Sequence, residues 1–96
     1  MNIDPILLKS KGAQLKMFDK NEVIFYEGEP ARYYYQVEKG SVKMFNDNSE
    51  GKQFMQGLFY DGDSFGEPPL FIIERYPSTA VAISRVTVFR LGNEEF

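Results

Sequence analysis

Between Gly12 and Leu91 the chain is cut into short runs of β-branched and aromatic residues by turns rich in glycine and acidic side chains. Such punctuation ends each run before a helix could propagate, and it is the pattern of short strands. Residues 14–18 read as a first strand, Asp19-Lys20-Asn21 as a turn, and residues 22–26 as a second strand whose Val23, Ile24 and Phe25 suit a pleated surface. Glu27-Gly28-Glu29-Pro30 is the next turn. Residues 32–38 then alternate, with Tyr33, Tyr35 and Val37 on one face and Tyr34, Gln36 and Glu38 on the other.

Lys39-Gly40 turns the chain into residues 41–46, where Val42 and Met44 alternate with Lys43 and Phe45. Asp47-Asn48-Ser49-Glu50-Gly51 makes a polar hairpin tip, and residues 52–60 form a long strand weakened or bulged at Gly57. Residues 79–83 and 86–91 are expected to pair with each other about a turn at Ser84-Arg85. Ahead of all this, Asp4-Pro5 before Ile6-Leu7-Leu8 reads as one or two helical turns, Asp4 being the N-cap and Pro5 the first helical residue. Asn93-Glu94-Glu95-Phe96 looks like a second helix start, and its abrupt stop suggests a fragment of a longer protein rather than a complete one with a frayed end. About seven short strands at even spacing imply a sandwich or small barrel.

Ninety-six residues make one domain with one core, and 43% apolar residues suffice to fill it. The net charge of −3 argues against a grip on DNA or RNA, which needs a basic face, but leaves room for a small anionic ligand. With no cysteine and no histidine, disulfides, thiol chemistry, histidine-held zinc and Ser-His-Asp catalysis are all beyond this chain's own residues. No apolar run nears the ~20 residues of a membrane span, and the first residues carry no signal-peptide pattern, so a cytoplasmic location is expected.

Several pieces, in order, give the chain a family likeness. They are Val23-Ile24-Phe25-Tyr26-Glu27-Gly28-Glu29 with Ala31, then Tyr35-Gln36-Val37-Glu38-Lys39-Gly40-Ser41-Val42-Lys43. Gly62-Asp63-Ser64-Phe65-Gly66-Glu67 and Ser78-Thr79-Ala80-Val81-Ala82 follow. Over residues 14–96 the chain resembles the cyclic-nucleotide-binding domain of the Crp/Fnr regulators, the family of catabolite activator protein, with residues 1–13 as a helical segment in front. The resemblance implies a mainly β fold, a double-stranded β-helix (jelly-roll or β-roll) with short flanking helices. It also implies that the last two pieces are the ends of a cassette wrapping a phosphate and a sugar.

In such a site backbone amides meet the phosphate, an acceptor meets the ribose hydroxyl and an apolar wall meets the base. By the resemblance Glu67 takes the ribose 2′-hydroxyl, Gly66 allows close backbone approach, Thr79 offers a hydroxyl and an amide to the phosphate, and Ala80 permits close packing. Ser78 is a departure: the family's nucleotide binders place an arginine there. Losing that counter-charge costs on the order of 2–5 kcal/mol, or roughly 30- to 4,000-fold in affinity. Arg75 either reaches inward in compensation or is solvated beside Glu74. Pro68-Pro69 is a second departure, removing two amide donors where an anion would sit, and it leaves Glu67 either a ribose ligand or a salt-bridge partner. The candidate ligand-binding residues are therefore Phe65, Gly66, Glu67, Leu70, Arg75, Ser78, Thr79 and Ala80, with no catalytic or metal-ligating residue.

The three tyrosines 33–35 could stack nucleic-acid bases, but their alternation and acidic neighbours favour packing. Three functions remain to be separated. The first is a sensor domain for a cyclic nucleotide (cyclic AMP or cyclic GMP) or a related small anion, weakly bound or not bound, in a dimeric transcription regulator whose dimer helix and effector lie beyond Phe96. The second is a degenerate domain serving dimerisation or protein interaction. The third, a cupin-like metalloenzyme, lacks its histidines, so no enzyme activity and no cofactor are expected.

Overall fold

A computed structural model of the chain describes residues 3–65 and 75–92. A short helix α1, Pro5–Ser10, precedes seven strands: β1 (Gln14–Phe18), β2 (Val23–Phe25), β3 (Tyr33–Lys39), β4 (Val42–Asp47), β5 (Gln53–Phe59), β6 (Thr79–Ala82) and β7 (Val86–Gly92). They form two antiparallel sheets, β1-β7-β3 and β2-β6-β4-β5, so the chain crosses between sheets after β1, β2, β3 and β6. This is the jelly-roll expected from the resemblance.

The main core lies between the sheets, where Val37, Val42, Ala80, Ala82, Val86 and Val88 are sealed from solvent together with Phe25, Tyr35, Phe65 and Tyr76. Phe25 stacks on Tyr76 at 3.8 Å and Tyr35 on Phe65 at 5.3 Å, giving a column of rings through the roll. The expected bulge is present beside Gly57: Met44 pairs with Gly57 and Phe45 with Met55, leaving Gln56 unmatched.

One expectation changes. Residues 79–83 and 86–91 were expected to pair, yet β6 pairs with β2 and β4 while β7 pairs with β1 and β3. The connection at 83–85 is a crossover between sheets, not a hairpin turn. The alternation in β3 left open what its second face meets. Tyr34 and Gln36 are buried, and a second core of Leu8, Tyr34, Phe89 and Leu91 forms under the N-terminal segment. Asp4 caps α1 by accepting from the Ile6 amide, and Gly12 ends it at φ +95°. The Ile3 backbone exchanges two 2.8 Å hydrogen bonds with the Gln36 amide, whose oxygen also accepts from the Tyr34 hydroxyl at 2.7 Å.

The roll has a closed and an open end. At the closed end three crossovers interlock: the Asn21 amide donates to Ala82 O, Ala82 donates to Glu22 O, and the Ile83 amide donates to Ser41 O. There Ser41 also meets the Ser84 hydroxyl at 2.9 Å. Among the described residues the open end is a cleft bordered by the 26–32 connection, Tyr76 and Arg90.

Candidate functional site

Residues 62–65 run antiparallel beside β3, with the Gly62 amide donating to Val37 O, Val37 donating to Asp63 O, and the Phe65 amide donating to Tyr35 O. This fixes the entrance of the cassette against the three-stranded sheet and drives Phe65 into the core. The exit is fixed against the other sheet. Tyr76 exchanges backbone hydrogen bonds with Gly28 and Glu29, and Ala80 lies buried between Phe25 and Met44. Phe65 and Ala80 thus meet in one core cluster. Gly66, Glu67, Leu70, the Pro68-Pro69 pair and the helix start at Asn93 lie outside the described residues.

Ser78 and Thr79 are both buried, and both hydroxyls serve the scaffold. Ser78 Oγ donates to Asn46 Oδ1 at 2.8 Å, while Asn46 Nδ2 donates to Pro77 O at 2.7 Å. The Thr79 hydroxyl accepts from the Glu27 amide at 2.9 Å. Since it accepts there, its own proton remains to be donated, whereas the Ser78 proton is committed to Asn46. Arg75 is exposed and its guanidinium donates to Gly28 O at 2.7 Å, anchoring the 26–30 turn.

Asn46 was invisible to sequence reasoning because it lies 32 positions from its partner. Only the register of β4 on β6, which sets Phe45 opposite Thr79, brings it beside Ser78.

The tyrosine hydroxyls at this end are insulated. Burial pushes Tyr76 up to about 12; its hydroxyl donates to Tyr33 O at 2.9 Å and accepts from the Tyr33 amide at 3.2 Å. Between its ordinary value of 10 and 12 the folded chain keeps a proton that the unfolded chain releases. Its contribution is therefore complete below pH 10 and declines above it, by about 1.4 kcal/mol per pH unit. Urea unfolding followed across this range should show that slope. Tyr76→Phe should flatten it by one proton while lowering neutral-pH stability by about 1–2 kcal/mol.

Among the described residues, no group of His, Cys, Asp and Glu side chains could hold a metal ion, and no helix is long and apolar enough to cross a membrane.

A mainly β jelly roll with sheets β1-β7-β3 and β2-β6-β4-β5 is the fold shared with the catabolite activator protein. The family model for the cyclic nucleotide-binding domain matches residues 15–96. The cyclic AMP receptor protein of Thermus thermophilus is 26% identical over 83 residues, which cover 86% of this chain and 38% of that protein. The structure of the Thermus thermophilus catabolite activator protein matches with a TM-score of 0.84 and 26% identity, over 97% of this chain and 45% of that one. The sensor domain of the transcriptional regulator DNR from Pseudomonas aeruginosa gives 0.82 and 26%, over 97% and 64%. FixK2 from Bradyrhizobium japonicum gives 0.79 and 29%, over 85% and 40%. The chain belongs to the cyclic nucleotide-binding domain family, in its Crp/Fnr branch. It spans 38% and 61% of the two curated relatives it matches.

Proposed function

We propose that this chain is the sensing domain of a Crp/Fnr-like transcription regulator, and that it takes a cyclic nucleotide or related small anion weakly at best. The observation that carries this reading is Ser78. Where nucleotide binders of the family hold an arginine, this chain has a buried serine whose only proton is given to Asn46. The Thr79 hydroxyl proton remains as a donor and brings no full charge. A ligand that shifted the regulator would have to bind one of its states better than the other. Any nucleic-acid contact would belong to another part of the regulator, since the chain has a net charge of −3.

A second reading has its own support: a domain that binds no nucleotide and serves dimerisation or docking. The edge strand β5 exposes Phe54, Met55 and Leu58, and Tyr60 is exposed just beyond its end. Calorimetry with cyclic AMP and cyclic GMP separates the two readings. Saturable heat that weakens in Glu67→Ala is the expected result for the sensor. No heat at millimolar ligand would replace it with the docking domain.

A further inference from the structure

We propose that the open end of the roll is a second ligand site, distinct from the cassette, that takes a small organic anion with a flat body. A cleft of about 210 Å³ opens there, with Glu29, Arg32, Tyr33, Tyr35, Tyr76 and Arg90 in its wall. Drug-sized pockets run from about 300 Å³ upward, so the occupant is a small molecule.

Arg90 is what makes the cleft a site. It follows Val86 and Val88 on the inward face of β7, a row that is otherwise sealed and apolar. Its guanidinium lies 4.2 Å from the centre of the Tyr33 ring, hydrogen-bonds to the Tyr35 hydroxyl, and through Nη2 donates to Gln14 Oε1 at a long 3.2 Å. Nε is buried and, among the described residues, meets no acceptor. A buried donor left unmet is costly, and a guanidinium edge matches the two oxygens of a carboxylate or phosphate.

Arg32 adds a second positive charge at the exposed rim. Among the described residues the wall holds one acidic side chain, Glu29, which is turned to its own loop, where Oε1 accepts from the Tyr26 amide at 2.7 Å. Its described wall thus sets two cations against one anion, within a chain that is negative as a whole. The half-buried Tyr33 ring, backed by the nearly buried Tyr35 and Tyr76, gives an aromatic wall to a planar body. The cleft shares no wall residue with Phe65, Ser78, Thr79 or Ala80.

The test is titration of the chain with sodium benzoate and with phenyl phosphate at low salt, by calorimetry and by amide chemical shifts. Saturable one-to-one binding is expected, with shifts at Tyr33, Tyr76 and Arg90 and not at Thr79. The tighter probe tells whether the headgroup is a carboxylate or a phosphate. Arg90→Gln should weaken binding by about tenfold or more. Arg32→Ala, at an exposed position that the fold does not need, should weaken it several-fold, and Lys20→Ala at the closed end should leave it unchanged. Absence of saturation with both probes at millimolar concentration would overturn the proposal, as would binding that survives both arginine changes or shifts centred on Thr79. Inorganic phosphate binding as tightly as phenyl phosphate would overturn the flat-body requirement.

Discussion

Gly40→Ala should unfold the domain far more readily than any other single added methyl group at a turn glycine. Gly40 joins β3 to β4 at φ +118°, a backbone conformation that costs a side-chain-bearing residue about 1–3 kcal/mol. Space adds to the penalty. A Cβ there would lie 2.6 Å from the Arg85 carbonyl oxygen and 2.8 Å from Val86 Cα, both backbone atoms of the neighbouring crossover. Overpacking of this kind costs about 1–3 kcal/mol more. The combined loss of about 3 kcal/mol or more corresponds to a fall in Tm on the order of 10–20 °C for a domain of this size. Gly51→Ala is the control, because Gly51 also has a positive φ, +80°, but its Cβ would meet nothing within 4 Å. A calorimetric melt of both variants decides the matter: equal losses would mean that the contact with the 83–86 crossover carries no weight.

Ser78→Arg should tighten cyclic AMP binding by roughly 30- to 4,000-fold, the effect of supplying a counter-charge to a buried phosphate. The substitution removes the bond to Asn46 and places a charge at a buried position. Without ligand the variant should therefore melt below the parent, and added cyclic AMP should raise its Tm by mass action. Ser78→Lys should give a smaller gain, since an ammonium lacks the planar fork that meets two phosphate oxygens. An unchanged affinity in Ser78→Arg would show that charge is not what this cassette lacks, and would remove the main support for the weak-sensor reading.

The strands were legible because each run of β-branched and aromatic residues ends in a turn whose chemistry is local. Residues 14–18 coincide with β1, and Gly57 marks the bulge in β5. Partnership between strands was less accessible. β6 and β7 are neighbours in sequence yet lie in different sheets, since a crossover of three residues looks the same as a hairpin turn until the sheets are known. Period-two alternation separated Tyr34 and Gln36 from Tyr35 and Val37, but nothing local said that the first pair would be covered by residues 3–13. At the cassette, the missing charge at Ser78 was visible through family likeness alone. The partner that occupies its hydroxyl required a β4–β6 register that no short-range pattern encodes. Arg90 was hidden for the same reason: it sits opposite Gln14 and Tyr35, residues drawn from the two other strands of its sheet.

The clasp between Ile3 and Gln36 sets where the cooperative unit begins. The family match starts at residue 15, yet trimming the chain to that point would strip Leu8 from Phe89 and Leu91 and strand a polar pair in a newly wetted sheet face. Any shortened version prepared for titration must therefore keep its first dozen residues, because without them the ligand response and the loss of the sheet's cover could not be told apart.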